Sequence, residues 1–228
     1  TLSPMQVQAS DTTLEDKVGA RFWNDEPTIG FYINSANRYI LETVQSPKFG
    51  TTAGEWSMLD LLRGMHLGYD YINHIPSDYF DGYISRFEQT ISEKLGKTQY
   101  IDRNKSTEYS RLMLTLSSLG YDVTAVGQEG AKYDFIEDLS ESFKYSTRQG
   151  INGPIWEIIA LNTGGYQLYD NERMQLPTDK EADINTVGKM IDHILKLEIT
   201  QTNGTVGGWA LSGKLPDPDI TGMALQSL

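Results

Sequence analysis

Apolar side chains recur along most of this chain at intervals of three and four, the spacing of one face of an α-helix. Almost nowhere do they recur at the interval of two that marks a strand. The pattern predicts eight helical segments, at about 31–45, 54–67, 77–95, 106–119, 132–145, 153–163, 183–199 and 219–228. Ser77, Ser106 and Asp183 stand where N-caps belong. Breakers such as Ser46-Pro47-Lys48-Phe49-Gly50 and Gly150-Ile151-Asn152-Gly153-Pro154 separate the segments.

The segments are of two kinds. The third, fifth and seventh are amphipathic, with stripes Phe80/Ile84/Phe87/Ile91/Leu95, Phe135/Ile136/Leu139/Phe143 and Ile184/Val187/Ile191/Ile194/Leu195 opposite charged faces. The second, fourth and sixth are apolar over most of their circumference, as in Leu112 to Leu116 and Ile155 to Leu161. A helix apolar on one stripe has a wet side, whereas one apolar all round is covered on both sides. Strict alternation therefore predicts two concentric layers, odd helices outside and even ones inside. Each inner segment also ends alike: Leu67-Gly68-Tyr69-Asp70, Leu119-Gly120-Tyr121-Asp122 and Gly164-Gly165-Tyr166. A period of about 45–52 residues is that of a repeated helix-turn-helix unit, and a glycine there ends a helix in the left-handed conformation.

Composition narrows the class. Within 228 residues there is no cysteine, which excludes disulfides, thiolate zinc sites and a cysteine nucleophile. Nineteen basic against thirty-one acidic side chains leave a net charge of −12, the wrong sign for a nucleic-acid binder. No apolar run approaches the roughly 20 residues that cross a bilayer, so membrane insertion is not expected. Thr1 opens a polar stretch that is no signal peptide, and the last helix reaches Leu228 without a stop signal. Both ends suggest a piece of something longer.

A series of motifs in order resembles a known family: Gly54-Glu55-Trp56, Asp78-Tyr79-Phe80, Thr107-Glu108-Tyr109-Ser110-Arg111-Leu112, Asn152-Gly153-Pro154-Ile155-Trp156, Gly207-Gly208-Trp209 and Asp217-Pro218-Asp219-Ile220-Thr221-Gly222. They are similar to the α/α-toroid domains of bacterial, mostly Gram-positive, surface and secreted proteins. That superfamily also holds terpene cyclases, protein prenyltransferases and transcobalamin-type carriers. A complete toroid of this kind has six inner and six outer helices, so the resemblance implies an all-α toroid incomplete at its C-terminus. It would occupy residues 30–228, after an N-terminal extension at 1–29.

The resemblance also carries candidate chemistry. In class II cyclases a position like Asp219 protonates an alkene or epoxide, with Asp217 matching the first aspartate of that motif. Ile220 stands where its last aspartate would be, and a carboxylate at a helix start is favoured charged, not protonated. The competing reading of Asp219 is a helix cap. Gln201 to Trp209 resembles the Gln-Trp repeat that ties outer to inner helices, a structural role. The zinc-dependent prenyltransferase branch is excluded by the missing cysteine, and His66, His74 and His193 have no metal-ligand spacing. No Gly-x-Ser-x-Gly elbow, Walker loop or His-Glu-x-x-His pair occurs. The acidic stretch from Asp170 to Asp183 follows no EF-hand spacing and reads as a solvated loop.

In a toroid the starts of the inner helices surround the central hollow. Glu55, Trp56, Glu108, Tyr109, Trp156 and Asp219 are thus the cavity candidates, suited to stacking on a sugar or another flat ring. Glu108 and Arg111, three apart, are placed to pair. The expectation is a non-catalytic ligand-binding or structural module of an extracellular or cell-surface bacterial protein, joined to further domains. A terpene-cyclase-like enzyme using Asp219 is the alternative. No cofactor is identified, although the kinship with cobalamin carriers admits a corrinoid. The expected partner is a small molecule or glycan.

Overall fold

Tyr79, Tyr83, Phe87, Ile91 and Leu95 follow one another at intervals of four and are all buried, which is why one long helix forms there and which side it turns inward. The computed structural model of the chain describes residues 29–51, 53–65, 68–95, 100–200 and 204–228. The expected extension at 1–29 therefore lies outside the described residues apart from Ile29, as do His66, Leu67 and Gln201-Thr202-Asn203.

Eleven α-helices occur among the described residues: α1 (Ile29–Thr43), α2 (Glu55–Met65), α3 (Tyr79–Leu95), α4 (Thr107–Ser118), α5 (Phe135–Ser140), α6 (Phe143–Ser146), α7 (Asn152–Gly164), α8 (Asn171–Met174), α9 (Thr178–Glu181), α10 (Val187–Lys196) and α11 (Pro218–Ser227). The fold is all-α. The only β pairing among these residues is two isolated bridges, Val126 with Tyr133 and Thr200 with Val206.

The even-numbered segments of the sequence pattern pack against one another in order: α2 on α4, α4 on α7, and α7 on α11, with α10 also against α7. The α4 to α7 contact is the most extensive of these. Burial follows. On α4, Tyr109, Ser110 and Leu112 to Leu116 are buried, and on α7 so are Gly153 to Ile155 and Glu157 to Leu161. The glycine ends hold as expected. Gly120 and Gly165 adopt φ of 73° and 69°, and the following Tyr121 and Tyr166 amides return to Leu116 O and Leu161 O at 2.9 Å. That is the left-handed C-cap that a side chain at those glycines would strain.

Several boundaries differ. The predicted helix 132–145 is two, because Ser142 is extended and its Oγ accepts from Tyr145 N, while Asp183 receives Phe143 N on its carbonyl and Lys144 N and the Ser142 hydroxyl on its carboxylate. Asp183, expected to cap the seventh helix, thus caps α6 from across the fold. Thr186 caps α10 instead, accepting from Lys189 N. Ser106 makes no cap bond either; it is buried and donates to Ser146 O. On α3 the expected Phe80 and Ile84 are half-buried, and Tyr79 and Tyr83 take the core positions. On α10, Val187 and Leu195 stay exposed while Met190 and Ile194 are buried. The acidic stretch after Asp170 holds the short α8 and α9 and no fully buried residue within them.

Segments far apart in the chain are joined by tyrosine hydroxyls donating to carboxylates: Tyr83 to Glu55 (2.8 Å), Tyr109 to Asp138 (2.6 Å), Tyr121 to Glu88 (2.5 Å), Tyr100 to Glu141 (2.7 Å) and Tyr169 to Asp134 (2.7 Å). In a chain with twelve more acids than bases, a neutral phenol can satisfy a carboxylate where no cation is at hand, and at Glu55 it shares the acid with Arg111. Trp209 makes the corresponding link near the C-terminus. Its indole N–H donates to Ile194 O at the end of α10, and its backbone N–H to Thr221 Oγ1 in α11.

Candidate functional site

The N-terminal ends of α2, α4 and α7 meet around one cleft of about 140 Å³ lined by Trp56, Thr107, Arg111, Asn152 and Trp156. Its geometry begins with a buried acid. Glu55 opens α2 with no exposure to solvent, and its carboxylate accepts from Tyr83 Oη (2.8 Å), Gly50 N (3.2 Å) and Arg111 Nε (3.1 Å). Arg111 lies one turn into α4, and its other two nitrogens donate to Glu108 at 2.6 and 3.3 Å. The guanidinium is thereby fixed by two carboxylates from two helices, a charge-assisted fork of high rigidity. Above it Trp56 and Trp156 meet edge to face, with centroids 5.5 Å apart and planes at 60°.

Asn152 Oδ1, in the lining of the cleft, is buried and has no hydrogen-bond partner among the described residues. Thr107 is held by Gln149, whose Oε1 accepts from both its amide (3.2 Å) and its hydroxyl (2.9 Å). The cleft thus offers two half-buried indoles, one unpartnered acceptor and a rigid guanidinium.

Of the residues expected at a cavity, the structure brings together Trp56 and Trp156 as lining, with Glu55 and Glu108 behind them as the anchors of Arg111. Tyr109 is elsewhere. It is fully buried on another side of α4, edge-on to Phe135 and Tyr145, its hydroxyl shared between Asp138 and Ile101 N. Asp219 is exposed in the first turn of α11, and the cap is Asp217, whose carboxylate accepts from Ile220 N at 2.9 Å. An exposed carboxyl in water lacks the apolar enclosure that would keep it protonated for alkene chemistry. Among the described residues no group of three or more His, Asp or Glu is placed to hold a metal.

Two larger hollows, about 720 and 540 Å³, flank the extended segment 165–170. Tyr169, which lines both, donates to Asp134, and the Arg173 guanidinium lies 3.4 Å from the Tyr169 ring centre, while Asn185 Oδ1 in the smaller hollow has no partner among the described residues.

Sequence reasoning missed a buried polar knot below the cleft. Glu157, next to Trp156 on α7, is fully buried; its Oε2 accepts from Ser146 Oγ (2.6 Å) and Asn185 Nδ2 (2.9 Å), while Oε1 has no partner. Loss of hydration pushes its carboxyl up to about 7 despite those bonds. The signal was a single acid inside the apolar run Ile155 to Leu161. Asp138 is likewise pushed up to about 7 by burial, against the lowering effect of the Tyr109 hydroxyl.

No protein-family model matches the chain, and no curated protein or solved structure is significantly similar to it.

Proposed function

We propose that residues 30–228 form most of an α/α toroid and act as a non-catalytic glycan-binding module of a bacterial cell-surface or secreted protein. The succession α2, α4, α7, α11, in which each packs on the one before and other helices intervene along the chain, supports the toroid. The cellular location rests on the motif resemblance alone. The observation that carries the ligand role is the Trp56/Trp156 cleft at the shared end of three inner helices.

Size selects the ligand class. Sites that enclose drug-sized molecules run to roughly 300–1,000 Å³, so a cleft of about 140 Å³ favours a single ring over a corrinoid or an isoprenoid chain at this place. Aromatic faces with a few fixed polar groups are suited to a pyranose, whose C–H face packs on the indole while its hydroxyls meet Arg111 and Asn152. The cyclase alternative gains no support from an exposed Asp219.

Isothermal calorimetry with chitotetraose, cyanocobalamin and farnesyl diphosphate tests this. The expected result is saturable binding of the oligosaccharide alone, weakened at least tenfold in Trp56→Ala and Trp156→Ala. Binding by none of the three would leave the module a structural one.

A further inference from the structure

Along α3 the residues Arg86, Gln89, Thr90 and Glu93 follow one another at intervals of three and four, which puts them on one side of the helix, beside the buried stripe of Tyr83, Phe87 and Ile91. The loop 47–50 lies against this side, and the two enclose a hollow of about 360 Å³ lined by Lys48, Phe49 and those four residues. The loop is fastened at three points. Pro47 O accepts from Arg86 Nη2 at 3.2 Å, Lys48 O accepts from the Thr51 hydroxyl at 2.9 Å, and Gly50 N donates to the buried Glu55 at 3.2 Å. Phe49 stands edge-on to Phe87 of the core with ring centres 5.7 Å apart, and Lys94 Nζ lies 5.4 Å from its own ring centre.

The lining carries positive charge that the protein leaves uncompensated. Arg86 donates to a main-chain carbonyl, its Nε has no hydrogen-bond partner, and neither Arg86 nor Lys48 forms an ion pair among the described residues. Glu93, the acid in this lining, starts about 10.5 Å along the helix axis from Arg86, and its Oε1 accepts from Gln89 Nε2 at 3.3 Å. The net charge of −12 does not keep an anion away, since the Debye length is about 8 Å at physiological ionic strength and distant carboxylates are screened. We infer that this hollow binds a small organic oxyanion, a phosphate monoester or carboxylate carried on a single ring, with the anion on Arg86 and Lys48 and the ring against Phe49. A guanidinium recognises both anions through the same pair of N–H groups, so the two share one chemistry. The volume falls within the roughly 300–1,000 Å³ of small-molecule sites. The hollow has no lining residue in common with the Trp56/Trp156 cleft, and the inference does not depend on the glycan reading.

Calorimetry of the full chain at 0.15 M salt with phenyl phosphate, benzoate and the uncharged benzyl alcohol tests it. At least one of the two anions is expected to bind tenfold or more tightly than the alcohol, and the stronger of them separates phosphate from carboxylate. Arg86→Gln should weaken that binding at least tenfold and Lys48→Gln at least threefold, whereas Trp56→Ala should leave it unchanged. Lys48 is exposed, so its variant decides the matter if thermal melting shows Arg86→Gln to be misfolded. Failure of both anions to bind, equal affinity for the alcohol, or anion binding undiminished in Lys48→Gln overturns the inference. Binding that is lost in Trp56→Ala and kept in Arg86→Gln puts the anion in the cleft and overturns it as well.

Discussion

Glu157 shows how one residue can be costly and still hold a region together. Its carboxylate joins α7 to Ser146 at the end of α6 and to Asn185 before α10, so it fixes those elements relative to the helix that carries Trp156. The cost is visible in a carboxyl pushed up to about 7 from 4.5; at 1.36 kcal/mol per unit, keeping it ionised at high pH costs roughly 3 kcal/mol. Glu157→Gln retains an acceptor for Ser146 and Asn185 and places an amide NH₂ where Oε1 has no donor. The variant is expected to be more stable than the parent at pH 8 by about 1–3 kcal/mol and nearly equal at pH 5, where the acid is already protonated. Urea unfolding at the two pH values measures this, and equal stability of both proteins at pH 8 would refute it.

At the scale of elements, the starts of α4 and α7 and the end of α6 are brought together by one close approach. A Cβ on Gly153 would sit 1.7 Å from the Ser146 carbonyl oxygen and 3.0 Å from Ser106 Oγ. Neither is the mobile end of a long side chain. Gly153→Ala is therefore expected to lose about 1–3 kcal/mol or more through forced backbone shifts and to weaken ligand binding at the adjoining Asn152 and Trp156; an unchanged urea midpoint would show that the helix ends are free to move apart. This scale is also where sequence and structure agree best. All eight predicted segments contain a helix, because a repeat of three and four sustained over three turns or more leaves no other way to bury the apolar side. The errors fall where a distant partner decides: Ser142 and Asp183 divide the segment 132–145 through a tertiary cap, and Tyr79 and Tyr83 rotate the buried stripe of α3 because their hydroxyls find Val44 O and Glu55. The same rule governs the site. Trp56, Trp156 and the Glu108–Arg111 pair were legible from helix position and spacing. Thr107, Asn152 and the Glu157–Ser146–Asn185 knot depend on contacts between residues far apart in the chain, for which a single sequence has no period.

For the whole molecule, the titrations combine into one pH profile. Asp138 and Glu157 titrate near 7 when folded and near 4 when unfolded. Between those values the folded chain holds protons that the unfolded chain has released, so stability falls as pH rises through the window. His193 acts in the opposite sense: burial lowers its folded pKa, and its contribution is lost as pH falls through the ordinary histidine range. Two carboxyls outweigh one partly buried imidazole, and the net charge of −12 at neutrality adds repulsion that grows in the same direction as the carboxyl effect. A second loss comes at alkaline pH. Burial holds the phenols of Tyr71, Tyr121 and Tyr169 at about 12, so the unfolded chain releases their protons first, and stability declines as pH rises beyond about 10. Calorimetric melting between pH 4.5 and 10.5 is expected to give its highest Tm near pH 5–6, a fall of several degrees by pH 8, and a steeper fall above pH 10. Raising salt to 0.5 M at pH 8 should recover the part due to surface repulsion and leave the part due to Glu157, which only Glu157→Gln removes. A Tm that climbs from pH 5 to pH 8 would mean that the buried carboxyls are ionised and well solvated when folded, and that the polar knot beneath the cleft is open to water.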